Sequence, residues 1–257
     1  MSKRSKLTPV MALLVVSLSL FFACSKSTAP DLGGTFFGAT VGMANGTGRS
    51  YVTLDREGKP TELGVSLTES TLAGLPAVMT EFIFPLPAEA SSTPYKLAAI
   101  NWQPTGHPPM NIFTVPHFDV HFYTITQADR DLMVPADPQY NAKMFRAPGA
   151  AFVAPDYTAD VTGFPRMGLH WADRAAPAFG GQAFVKTFIY GSYDGASIFA
   201  EPMITKAYLE SKPVSSVTPL KLPAQYATSG YHPTSYTIGY DAATMEIRIA
   251  LSGLTQR

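Results

Sequence analysis

The chain has 257 residues, 46% of them hydrophobic and 15% charged, and its 19 basic residues balance 19 acidic ones. That hydrophobic content excludes a disordered chain, and the even balance excludes the basic surface that a nucleic-acid partner needs. The 22 prolines, 20 glycines and 12 tyrosines point to strands joined by many turns rather than to long helices.

Lys3, Arg4 and Lys6 precede residues 10–23, an almost wholly apolar run interrupted only by Ser17 and Ser19. A basic start followed by a short apolar run has the pattern of a secretory signal. It is too short to span a bilayer comfortably, which takes about 20 apolar residues. The run ends in Phe21-Phe22-Ala23-Cys24, which resembles a bacterial lipobox, with Phe21 standing where leucine is usual. Cys24 is the only cysteine, so no intramolecular disulfide can form. Lipidation would remove a thiol otherwise left free in an oxidising compartment. Residues 1–23 therefore read as a lipoprotein signal peptide, 24–32 as a lipidated polar tether carrying Pro30, and 33–257 as a β-rich globular domain. An ordinary signal peptide with an incidental Cys24 is the competing reading. Ser25, where an aspartate would favour retention at the inner membrane, points to a lipid-anchored protein of the cell envelope, at the outer membrane of a Gram-negative cell. Cleavage removes three basic and no acidic residues, leaving 16 against 19 and a net charge of −3.

Along the domain, residues 35–41 read as a first strand, followed by a loop through Asn45-Gly46. Residues 50–54 and 62–67 form a hairpin around the turn Asp55-Arg56-Glu57-Gly58. Thr68 has the character of a helix N-cap, opening one short helix that Gly74 and Pro76 stop. Strands follow at 79–84 and 95–102, then at 112–125 with a break near Pro116. Residues 126–132 begin a helix, and 136–163 read as a long irregular connection. Residues 184–190 and 196–201 flank Gly191-Ser192-Tyr193-Asp194-Gly195 as a second hairpin. Residues 204–210 read as a helical turn, and the tail alternates through strands at 235–240 and 246–251. The sum is a mostly β single domain, sandwich- or barrel-like, with a few short helices.

The chemistry concentrates in Pro116-His117-Phe118-Asp119-Val120-His121-Phe122-Tyr123. Strand alternation sends Phe118, Val120 and Phe122 to one face and His117, Asp119, His121 and Tyr123 to the other. Same-face neighbours lie ~7 Å apart at the backbone, close enough for two side chains to converge on one ion. His117 and His121 lie ~13 Å apart on a straight strand, so Asp119 with one histidine is the better ligand pair, completed from elsewhere. The completing candidates are His170 and Glu201, polar residues that interrupt apolar stretches where burial demands a partner. Zinc, iron and copper all accept imidazole and carboxylate together. Asp119 could instead orient a histidine from behind. The competing reading is a structural polar network, solvated or facing another subunit. Trp171 and Tyr190, with Tyr123, are candidate lining residues for a small-molecule pocket, against their commoner role as core aromatics. His107 and His232, each followed by proline, read as turn residues.

Four strings carry a family resemblance: residues 116–123, Met167-Gly168-Leu169-His170-Trp171, Thr187-Phe188-Ile189-Tyr190-Gly191, and Glu201-Pro202-Met203-Ile204-Thr205. They resemble an uncharacterised exported bacterial family, typified by the product of an envelope-stress sigma-E operon in Thermus. The resemblance implies a β-rich envelope protein, a homo-oligomer, and no catalytic assignment. Two functions stay open. One is a ligand-binding or structural lipoprotein linked to envelope stress. The other is a metal-dependent enzyme that uses the histidine strand on a small molecule. Cys24→Ser should leave the unprocessed chain without its lipid, and fractionation with acyl-chain (palmitate) labelling should then show no labelled mature form.

Overall fold

The computed structural model describes residues 31–257, which form one packing unit. The proposed signal peptide, Cys24 and nearly all of the tether lie outside the described residues.

The domain opens with β1 (Gly34–Phe37), β2 (Val41–Met43), β3 (Gly46–Leu54) and β4 (Pro60–Thr68). The expected first strand is thus split in two, and β3 starts at Gly46. The β3–β4 turn is locked by Asp55, whose Oδ1 accepts from the backbone N–H groups of Glu57 and Lys59. Gly58 supplies a left-handed φ of +79° there, where a side chain would be strained. Thr68 precedes a 3-10 turn, Glu69–Leu72. Its hydroxyl accepts from Thr47 N instead of capping that turn.

Next come β5 (Thr80–Pro85), β6 (Leu97–Gln103) and β7 (His117–Tyr123). The strand expected over 112–125 is shorter at its start, because residues up to Pro116 fold back in turns and His107 N donates to Phe113 O. Helix α1 (Gln127–Asp131) begins at Thr126, where a reciprocal capping box with Asp129 satisfies two backbone donors. The stretch expected to be irregular over 136–163 holds α2 (Tyr140–Met144), a 3-10 turn at Ala150–Phe152 and most of β8 (Tyr157–Phe164). Its pairing with β9 (Gly168–Asp173) slips between Ala159 and Gly163, which scrambles the alternation that identifies a strand. Then follow β10 (Lys186–Tyr193), β11 (Ala196–Thr205) and α3 (Lys206–Glu210). The tail holds β12 (Ser216–Pro219), β13 (Tyr231–His232), β14 (Ser235–Asp241), β15 (Glu246–Ser252) and β16 (Thr255–Gln256).

Two large antiparallel sheets result, and neither closes into a barrel. One has the order β1-β3-β4-β15-β14-β12, with β2 on β3. The other runs β5-β6-β7-β11-β10-β9-β8, while β13 and β16 pair separately. The fold is a mostly β sandwich. Its core joins Val52, Leu63, Val65, Ile247 and Ile249 of the first sheet to Ile100, Phe118, Val120 and Phe122 of the second. The second sheet is buried on its other face too, under loops that bring Phe113, Met133 and Phe184 against Tyr123, Ile189 and Phe199. β7 lies three strands in from one edge, so both of its faces are inside. Among the described residues no helix is long and apolar enough to cross a membrane.

Phe122 is fully buried between the sheets. Phe122→Ala should lower the unfolding free energy by about 3–5 kcal/mol, read from the midpoint of a denaturant titration.

Candidate metal centre

The alternation expected of β7 holds, but its polar face does not meet solvent. His117, Asp119, His121 and Tyr123 are all buried. The register that pairs Ala200 with Phe122 and Met203 with Asp119 brings Glu201 of β11 opposite His121. On the other side His121 pairs with Ala99, whose methyl leaves room for the imidazole. His170 reaches the same face from β9, two strands beyond β7's neighbour β11 and separated from it by β10. Gly191 of β10 pairs with both His170 and Phe199. A Cβ on Gly191 would lie 1.9 Å from the Phe199 ring, so the missing side chain is what lets that ring lie there. Phe199 meets both imidazoles edge to face, with centroids 4.7 Å from His121 and 5.2 Å from His170.

The five candidate ligands do not share one ion. His121, His170 and Glu201 form one group, with a ligand atom of each within 4.8 Å of the others. The Nε2 atoms of His121 and His170 lie 3.5 and 3.7 Å from Glu201 Oε2. Ligands held tetrahedrally at the usual zinc distances are separated by roughly 3.4 Å, so these edges fit one ion with little movement. Both His121 nitrogens and Glu201 Oε2 are buried without a hydrogen-bond partner. Burial pushes His121 down to about 3 and His170 to about 4, which leaves neutral rings with a lone pair each. Burial likewise drives the Glu201 carboxyl well above the usual range, with Asp119 adding to the rise. A divalent cation reverses that preference by neutralising the carboxylate in place.

His117 and Asp119 belong to a second group, completed by His107 and not by His170 or Glu201. His107 is therefore more than the turn residue its Pro108 neighbour suggested. It lies in the 104–116 connection between β6 and β7, whose pairing of Gln103 with His117 makes the connection start and end beside His117. That pairing is the signal through which sequence reasoning could have found it. Although burial alone would raise it, the Asp119 carboxyl is held far below the ordinary carboxylate range by the adjoining imidazoles of His107 and His117. His232 stays apart from both groups, packed on Tyr226 and bonded through Nε2 to Thr228 O.

Sequence reasoning missed Arg130 altogether. It is fully buried, with its guanidinium 4.1 Å above the Tyr123 ring. It donates to Glu81 Oε1 at 2.5 Å, Arg166 O at 3.1 Å and Gln127 Oε1 at 2.9 Å. Tyr123 in turn stacks on His121 with an interplanar angle of 8°. Arg130 thus holds His121 in place through the phenol ring. Of the expected pocket residues, Trp171 and Tyr190 line an aromatic pocket with Tyr95, Tyr157 and Tyr226, and Tyr123 does not line it. Trp171 and Tyr190 pair across β9 and β10 on the sheet face opposite His170.

Gly191→Ala should displace the Phe199 ring and cost about 1–3 kcal/mol, as overpacking does. Gly191→Ala combined with Phe199→Leu should regain most of that loss in thermal unfolding.

The family described as TTHB210-like, hypothetical protein TTHB210, matches residues 55–102. The matched segment runs from the β3–β4 turn through most of β6 and holds none of the six grouped ligands. No curated protein and no solved structure matches the chain. The chain resembles this family, whose namesake is a Thermus protein.

Proposed function

We propose that this protein is an exported, lipid-anchored metalloprotein of the cell envelope that binds one divalent transition ion at His121, His170 and Glu201. The observation that carries this reading is the buried, unpartnered state of the His121 nitrogens and Glu201 Oε2, which converge from β7 and β11. Leaving such groups buried without a compensating partner is expensive, and an ion ligated through the Nε2 atoms of His121 and His170 and through Glu201 Oε2 removes the cost at those atoms. Two histidines and one carboxylate suit zinc or iron and leave coordination positions open, as catalytic sites do. The group meets solvent only at His170, whose side chain is 11% exposed while those of His121 and Glu201 are nearly closed off. The reaction that fits is metal-assisted chemistry on a small molecule in a nearly dry site. A binding role without chemistry is favoured instead by the aromatic pocket around Trp171 and Tyr190, which suits an apolar ligand.

Elemental analysis of the full chain, purified in mild detergent and dialysed, distinguishes the two. The metal reading expects near-stoichiometric zinc or iron, with affinity reduced by more than about 100-fold in both His121→Ala and Glu201→Gln, beyond the loss typical of an outer-shell partner. A wild-type chain that retains no ion after incubation with zinc, iron(II) or copper overturns it.

A further inference from the structure

The second histidine–carboxylate group has its own geometry. His117 Nε2 lies 3.0 Å from Asp119 Oδ1, and His107 Nε2 lies 3.5 Å from Asp119 Oδ2. The closer contact is no hydrogen bond, because His117 Nε2 and Asp119 Oδ1 are both buried and neither has a hydrogen-bond partner. The opposite ring nitrogens are engaged. His117 Nδ1 lies 2.7 Å from Val115 O, and His107 Nδ1 lies 2.6 Å from Pro108 O. A carbonyl oxygen only accepts, so each Nδ1 carries a proton and donates it to that contact. In the neutral ring this leaves an Nε2 lone pair, not an N–H, on the Asp119 side of both histidines. Metal-bound histidines are oriented in the same way, by a backbone carbonyl behind the ring. Gln103 Nε2 donates to Asp119 Oδ2 at 3.0 Å and fixes the carboxylate from the other side.

Unprotonated Nε2 atoms crowded beside a carboxylate leave it ionised only if positive charge sits among them. Imidazolium protons would supply positive charge, but the shortest contact lacks the direction that an N–H donor needs. We propose that His107, His117 and Asp119 form a second divalent-metal site, for Zn²⁺ or an ion of the same class, separate from the centre on His121, His170 and Glu201. The two groups share no ligand. With no ligand bridging the two groups, the sites are separate mononuclear ones on one sheet face.

They differ in access. The His107 side chain is 26% exposed, whereas those of His117 and Asp119 are almost closed off. The second ion meets solvent along His107 and exchanges more readily than the first. It also joins the 104–116 connection to the sheet through a side chain, since His107 belongs to that connection and its two partners to β7.

The test is a Zn²⁺ titration of the chelator-stripped full chain in mild detergent, with bound zinc counted at saturation. His107→Ala, His107→Gln and Glu201→Gln run in parallel, each checked by circular dichroism for the wild-type β spectrum. The expected result is two equivalents in the wild type and one in each variant, with limited proteolysis within 104–116 slowed by zinc in wild type and Glu201→Gln alone. Unchanged stoichiometry in both folded His107 variants overturns the second site, whatever Glu201→Gln does. If zinc is lost only on changing His107, the second site stands and the centre on His121 fails.

Discussion

A sheet face closed off from water has to give every ionisable side chain on it a partner, and the second sheet of this protein gathers four histidines, two carboxylates, Tyr123 and Arg130 on or against one face. The sandwich core explains only half of β7. Phe118, Val120 and Phe122 pack toward the first sheet, as alternation requires. The other half turns His117, Asp119 and His121 into a layer sealed by Phe113, Phe184 and Phe199. Each polar group there must be neutral, paired or ligated. The structure uses several of these means in one place. His121 and His170 are held neutral by burial, Asp119 is held ionised among imidazoles, and Arg130 is matched donor by donor against Glu81, Gln127 and Arg166 O.

The scaffold around that layer works through shape. Ala99 and Gly191 are the small residues beside it, one making room for an imidazole and the other for a phenyl ring. Arg130 reaches His121 only through the stacked Tyr123, so a helix outside the sheet sets the orientation of a residue within it. Substitution of Arg130 by a residue that cannot span that distance would loosen the ring and leave Glu81 with fewer donors, although Arg166 also contacts it. The segment that matches the TTHB210-like family, residues 55–102, lies in this scaffold and contributes Glu81 and Ala99 but no ligand.

Much of this was legible in the chain because local signals agree with the fold. The turn at residues 55–58, the helix start near Thr126, the final hairpin and the alternation of β7 each rest on residues close in sequence. The grouping of the ligands was not legible, because it depends on which strands lie beside β7. Sequence placed Asp119, His170 and Glu201 in one pool. The strand order sends Glu201 and His170 to His121 and leaves Asp119 to His107, which sits in a proline-rich connection with no periodicity to mark it. β8 escaped for a related reason, since its slipped pairing erased the alternation. Arg130 gave no signal at all, because a charged residue on a short helix reads as solvated until the helix is seen packed.

The two-sided burial of β7 also bears on how this segment can change over time. Its side-chain period is two, so one inserted or deleted residue exchanges the faces beyond that point. The histidines would enter the sandwich core, and the phenylalanines would replace them among the ligands. A surface strand can absorb such a shift through a bulge, but β7 is held by an uninterrupted ladder from β6 and, on its other side, by β11 in one register at both ends. Point substitutions can therefore accumulate singly along this strand, whereas its length is fixed, and variation in size is confined to the connections that cover it.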